Sequence, residues 1–300
     1  MRYFAALLLA TMIACGGGPE KTGQKTFSTP EDAVVALVDA ARAGNKAELS
    51  AIFGPEGEVI LSSGDPVMDR NAVQTFVLAY DQRAQLSEEN GKRILLIGNE
   101  EWPFPIPVIK DGSAWRFDAE AGADEVLYRR IGRNELNTLE TCREYVAAQQ
   151  EYAGKAHDGK KAGAYAQKFA SAPGKQDGLY WPTEAPAEPS PLGDLIAKAA
   201  ALGYTGPGDK PVPFYGYYFR ILTAQGKSAE GGARDYLKQG EMRGGFALIA
   251  VPAEYGNSGI MTFMVNQDGF IFQKDLGPDA AKVAAGISAF DPDPTWSQVQ

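Results

Sequence analysis

The chain is predicted to fold as an α+β protein of two domains, on three observations. Apolar residues recur at helical spacing through residues 30–85, then runs bounded by turn signals fill 93–117. The same succession returns after Asn134, as a long helical pattern followed by four strand-like runs between Tyr215 and Lys274. Short turns link the strands of each set, so both sheets are expected to be antiparallel, with the helices segregated from them. The divisions expected are a leader (1–14), a flexible tether (15–28), a first domain (29–132) and a second (133–300).

The first domain is expected to begin at Thr29-Pro30-Glu31-Asp32: a capping hydroxyl, proline at the first helical position, then two acids that suit a helix N-terminus. Val34, Val35, Leu37, Val38 and Ala41 form its inward stripe and Gly44-Asn45 ends it. A short helix over 46–53 and a third from Asp69 to Gln85 follow, the latter with Val73, Phe76, Val77 and Tyr80 at helical spacing. Strands are predicted at Arg93 to Ile97, Trp102 to Ile109 and, after a turn at Asp111-Gly112, Trp115 to Phe117. Pro103, Pro105 and Pro107 remove three N–H groups from one side of the middle strand, which must be an edge or a bulged segment. Three helices before a curved antiparallel sheet resemble the NTF2-like and SnoaL-like α+β cone.

In the second domain a helix is predicted from Asn134 to about Ala156, with Leu136, Leu139, Cys142, Val146 and Tyr152 near one face. A further helical turn is expected at 165–169, a loop at 177–182, an exposed acidic stretch at 183–191 and a short helix from Pro191 carrying Leu192, Leu195 and Ile196. Tyr215 to Thr223, Phe246 to Val251, Ile260 to Val265 and Phe270 to Lys274 read as a meander, and Pro278 to Ser288 as a last helix. A long helix laid on a meander resembles the head of pilins and pseudopilins, without the apolar half of a pilin stem.

Arg2 precedes a short apolar run that ends in Met12-Ile13-Ala14-Cys15, the layout of an export signal too short to span a bilayer. The four residues resemble a bacterial lipobox, although Met12 stands where leucine is usual. That resemblance implies cleavage before Cys15, lipidation of Cys15 as the membrane anchor and a periplasmic location. With Gly16 rather than Asp next, it favours the outer membrane over the inner. After residue 15 no apolar run is long enough to span a bilayer.

Six motifs occur together in order. They are Ser62-Ser63-Gly64-Asp65-Pro66, Trp102-Pro103-Phe104-Pro105-Ile106-Pro107, Ile131-Gly132-Arg133-Asn134-Glu135-Leu136, Gly178-Leu179-Tyr180-Trp181-Pro182, Gly216-Tyr217-Tyr218-Phe219-Arg220-Ile221-Leu222 and Val265-Asn266-Gln267-Asp268-Gly269. On them the chain resembles the DUF2950 family of bacterial exported proteins over residues 27–299. That resemblance implies no catalytic residues and no cofactor.

The residues themselves exclude much. A net charge of −9 argues against nucleic acid, whose binders cluster Lys and Arg. One histidine, His157, and one cysteine beyond Cys15, Cys142, cannot build the common zinc or iron sites, so no metal or cofactor is expected. Cys142 reads as a buried thiol and His157, among lysines, as a surface residue. Gly256-Asn257-Ser258-Gly259 fits a hairpin turn rather than a nucleophile elbow. Asp65, Asp69 and Glu101 are the candidate acids for a pocket in the first domain, although Asp65 also fits a turn and Asp69 a helix cap. Tyr180, Trp181, Tyr215 and Tyr218 are the candidate interaction surface. Aromatic rings with polar tips suit protein or cell-wall partners, and equally fill a core, in which case Tyr217 and Phe219 share one strand face and Tyr218 takes the other. The functional expectation is a non-enzymatic, lipid-anchored envelope scaffold. The alternatives are a small-molecule binder or acid–base enzyme in the first domain, and a pilin-like assembly subunit.

Overall fold

A computed structural model describes residues 23–183, 187–204 and 212–299. The leader and the proposed lipidation site, Cys15, lie outside the described residues. Helix α1 (Pro30–Arg42) starts as its cap dictates, with the Thr29 hydroxyl accepting from Asp32 N, and buries Val34, Leu37 and Val38. Helices α2 (Lys46–Phe53), α3 (Gly57–Leu61) and α4 (Pro66–Gln82) follow. The tether ends before residue 28. Gln24 Nε2 donates to the carbonyls of Ile52 and Phe117, and Phe27 exchanges two 2.8 Å backbone bonds with Trp115.

The first sheet contains β1 (Ala84–Glu89), β2 (Lys92–Ile97), β3 (Trp102–Pro103), β4 (Val108–Asp111) and β5 (Ala114–Phe117), all antiparallel. Its order is β1-β2-β4-β5, with β3 also on β2. The helix expected to reach Gln85 ends at Gln82, and β1 follows where no strand is expected, because its residues show no apolar alternation. Its turn, Asn90-Gly91, has both φ angles positive (50° and 76°), the two-residue hairpin that Asn-Gly favours. Of the two readings of the proline segment, the bulge applies. Trp102 and Pro103 pair with Ile97 and Leu96, the ladder lapses, and Val108 resumes it opposite Arg93. Ile106, inside the lapse, is buried in the core.

Helix α5 (Ala119–Ala153) is 35 residues long and begins 15 residues before the position expected. Its first half is polar, with Tyr128 exposed, so little apolar periodicity marks it. Gly122 lets this half press on the proline segment: a Cβ there would lie 2.7 Å from Ile106 Cγ1. The division expected at 132/133 falls inside α5, whose two halves serve two separate cores.

Beyond α5 the chain turns back at 157–160, and 165–169 forms no helical turn. The buried Gln149 amide pairs with both backbone groups of Ala166 at 2.8 Å, and Tyr165 bridges Met242, which holds the segment straight. Helix α6 (Gly193–Ala201) comes next. The second sheet is built from β6 (Tyr217–Leu222), β11 (Ala247–Pro252), β12 (Met261–Asn266), β13 (Ile271–Asp275) and β14 (Ser297–Gln298), neighbours in that order and all antiparallel. Between β6 and β11 lie two small ribbons: β7 (Ala224–Gln225) with β8 (Arg234–Asp235), and β9 (Leu237–Lys238) with β10 (Glu241–Met242). Helix α5 lies against β12 and α7 (Ala280–Ala285) against β11, so the central strands are buried on both faces.

Candidate binding groove

The three acids singled out from the sequence do not meet. Asp65 is wholly buried and caps α4, its Oδ1 accepting from Val67 N (3.0 Å) and Met68 N (3.2 Å). Its Oδ2 accepts from the Tyr204 hydroxyl (2.5 Å) and Gly216 N (3.1 Å). Four donors on one carboxylate make it a clasp between the two halves of the chain. Asp69, one turn on, accepts from Ser63 N at 3.0 Å. Burial holds its carboxyl above the ordinary value, opposed by the Ser63 bond and then by Arg130. Glu101 pairs with Arg83 at 2.7 Å, at the other end of the 17-residue α4, about 25 Å away at 1.5 Å per residue.

The interior of the first half is filled. Phe117 packs edge-on to Phe53 (5.6 Å) and Phe104 (6.4 Å), and Leu37, Ile52, Leu95 and Ile97 close around them. Three cavities of about 220, 320 and 960 Å³ are all lined by residues from Thr141 onward.

The largest is an apolar groove. Thr141 and Tyr145 of α5, Phe169 and Tyr180 of the segment after it, Leu195 and Ile196 of α6, and Phe214 line it. So do Tyr218, Phe219 and Arg220 of β6, Leu248 and Val251 of β11, and Ala281, Ala284 and Ala285 of α7. Strand alternation fixes which side chain goes where. Tyr217 lies on the α5 face, and Arg220 turns to α7, donating to the carbonyls of Ala284 and Ile287 at 2.7 Å. Phe219 therefore belongs to the α5 face and Tyr218 to the α7 face. Because the groove takes residues from both, it passes around the free edge of β6, the last strand of its sheet. Arg220 is the one charged side chain among the described lining residues, and its charge rests on the end of α7.

The entry to β6 is tightly specified. Phe214 and Tyr217 exchange both backbone hydrogen bonds across Tyr215-Gly216, whose φ angles are 51° and 74°. A side chain at Gly216 would meet Asn134 Nδ2 at 2.7 Å, so glycine serves the turn, the close approach and the N–H given to Asp65. Val67, Ala199 and Tyr204 make a small apolar cluster here, joined by Phe214. The Tyr204 phenol is pushed up first by burial and then by its hydrogen bond to Asp65.

Of the four aromatics expected at an interaction surface, Tyr180 and Tyr218 line the groove. Tyr215 packs on Phe214 at 4.3 Å, and Trp181 sits away from the groove beside His157 at 5.6 Å. His157 corrects the surface expectation. It is buried, stacked on Tyr152 at 4.0 Å, with Nε2 2.9 Å from the Tyr152 carbonyl, because the chain folds back directly after α5. Cys142 is buried and burial pushes its thiol up to about 12. Ser258 is committed to Glu254 through its N–H (2.9 Å) and carbonyl (3.1 Å). Among the described residues no three His, Cys, Asp or Glu come together as a metal site. The sequence does not mark Leu195, Ile196 or Phe214 as groove residues; the apolar pattern of the short helix is the one local signal for the first two.

A family model described as protein of unknown function (DUF2950) matches residues 24–299. No curated protein and no solved structure matches the chain.

Proposed function

We propose, for a chain that belongs to the DUF2950 family, that it is a non-enzymatic binding protein of the bacterial envelope, taking an elongated apolar ligand in the groove around β6. The observation that carries this reading is the 960 Å³ apolar concavity itself. Ligand sites are concave, largely apolar and roughly 300–1,000 Å³, so this one has room for a bulky or extended ligand. The groups that could do chemistry are occupied elsewhere: Asp65 by four donors, Ser258 by Glu254, and Arg220 by α7.

The location completes the reading. Lipidation at Cys15, with two or more acyl chains, anchors a protein durably, and Gly16 favours the outer membrane. Among the described residues no helix is long and apolar enough to cross a membrane. In architecture we take the first half as NTF2-like, with its cone filled, and the second as laid out like a pilin head. A tether raises the local concentration of any partner on the same membrane, which suits a binding protein.

The test is titration with anilinonaphthalene sulfonate, whose fluorescence reports apolar sites. The parent should enhance it saturably, and Tyr218→Arg or Ile196→Arg should abolish the enhancement while Tyr128→Arg, on the exposed face of α5, leaves it intact. Enhancement that survives both groove variants contradicts the reading.

A further inference from the structure

We infer that the occupant of the groove is an extended peptide segment of a partner protein, added as a strand to the free edge of β6; this rests on the groove being the binding site. The backbone identifies the ligand class. Ala253 N donates to Gly216 O, which sets the phase of the β6–β11 ladder. In an antiparallel pair alternate residues bond inward, so Tyr218, Arg220 and Leu222 bond to β11 while Tyr217, Phe219 and Ile221 turn their N–H and C=O outward.

Two neighbours close the ends of that outward edge. Tyr217 exchanges both bonds with Phe214, and Thr223 O accepts from Tyr236 N. Between them, the N–H and C=O groups of Phe219 and Ile221 have no partner among the described residues. Four main-chain groups in strand spacing thus lie along this edge, and Phe219, which carries two of them, lines the apolar groove. An acyl chain has nothing to offer them, whereas an extended peptide pairs with all four and still fills the groove with its side chains.

The window also states what the peptide looks like. Two outward residues accept a strand of about three to five residues. Side chains level with Phe219 enter the α5 and α6 side, against Leu195 and Ile196; those level with Arg220 lie toward Tyr218 and the alanines of α7. Both sides are apolar, so both sets are apolar in the central residues. The chain carries a net charge of −9 and the single lining cation is spent on α7, so charge complementarity calls for Lys or Arg flanks. The shortness of the window and the charged side chain at its centre limit uncontrolled strand addition.

The experiment uses a peptide of about ten residues, alternating Val and Leu in the centre with two lysines at each end, and two N-methylated forms of it. One form is methylated at the alternate residues whose N–H would face β6, the other at those facing away. The result expected is binding of the parent peptide with new amide-exchange protection at Phe219 and Ile221. One methylated form should bind about tenfold or more weakly and the other unchanged. Equal binding of both methylated forms overturns strand addition. Binding of anilinonaphthalene sulfonate but of no peptide overturns it too, while leaving the groove reading intact. Loss of both probes removes the two together. A stable dimer with Phe219 and Ile221 already protected overturns the proposal in favour of a second copy.

Discussion

The two halves of this chain use similar parts to opposite ends. Each sets helices against an antiparallel sheet, yet the first closes its interior with Phe53, Phe104 and Phe117 while the second leaves a groove of about 960 Å³. The difference lies in what covers the sheet edge. In the first half Phe27 pairs along the outer edge of β5 through two backbone bonds to Trp115, and the proline segment closes against α5 at Gly122. In the second, β6 ends its sheet, and the outward backbone groups of Phe219 and Ile221 have no partner among the described residues. A filled half then serves to hold the open one, through α5 and the Asp65 clasp.

The largest expected effect tests whether the open half is loosely packed. Burial raises the Cys142 thiol from 9.0 to about 12, so its thiolate at pH 8 should be about a thousandfold scarcer than that of an ordinary cysteine. Alkylation should therefore await unfolding; rapid labelling of the native protein would mean that the second core breathes and the groove is not a fixed feature. Phe117→Ala comes next, with a loss of about 3–5 kcal/mol in urea unfolding. A loss below about 1 kcal/mol would mean that the first half is hollow after all.

Asp65→Ala removes a cap and leaves the Tyr204 hydroxyl and Gly216 N–H unpaired, which should cost about 2–4 kcal/mol. Glu101→Ala, which breaks one exposed ion pair, should stay within about 0.5 kcal/mol. Similar losses for the two would erase the distinction between clasp and surface. Asp69 gives the smallest effect. Its folded-state pKa is raised, so its contribution is full below the ordinary value of 3.8 and is lost as pH rises through the folded value. Asp69→Asn should therefore gain stability relative to the parent between pH 3 and pH 7; the opposite slope would show that Arg130 outweighs burial.

Much of the fold was legible because it is written locally. The Thr29-Pro30 cap, the Asp111-Gly112 turn and the alternation that separates Tyr217 from Tyr218 each depend on a few adjacent residues. Strand β1 was missed because its residues are mostly polar, although Asn90-Gly91 announced its hairpin. The first half of α5 was missed because it spans a polar gap between two cores. The lysine neighbours of His157 suggest a surface position, whereas it stacks on Tyr152 and is flanked by Trp181, 24 residues away, because the chain turns back after α5. The acids are expected to share a pocket because a cone fold can bring them together, yet Asp65 caps one end of α4 and Glu101 pairs with Arg83 at the other. A groove assembled from α5, α6, β6, β11 and α7 has no local signature, since it consists of where those elements do not touch.

The most direct test is to follow methyl resonances of the full protein during titration with the lysine-flanked peptide or anilinonaphthalene sulfonate. The account predicts shifts at Leu195, Ile196, Val251 and Ala284, with Leu37, Ile52 and Ile97 unmoved. Shifts centred on the first core, or none at saturating probe, would contradict it.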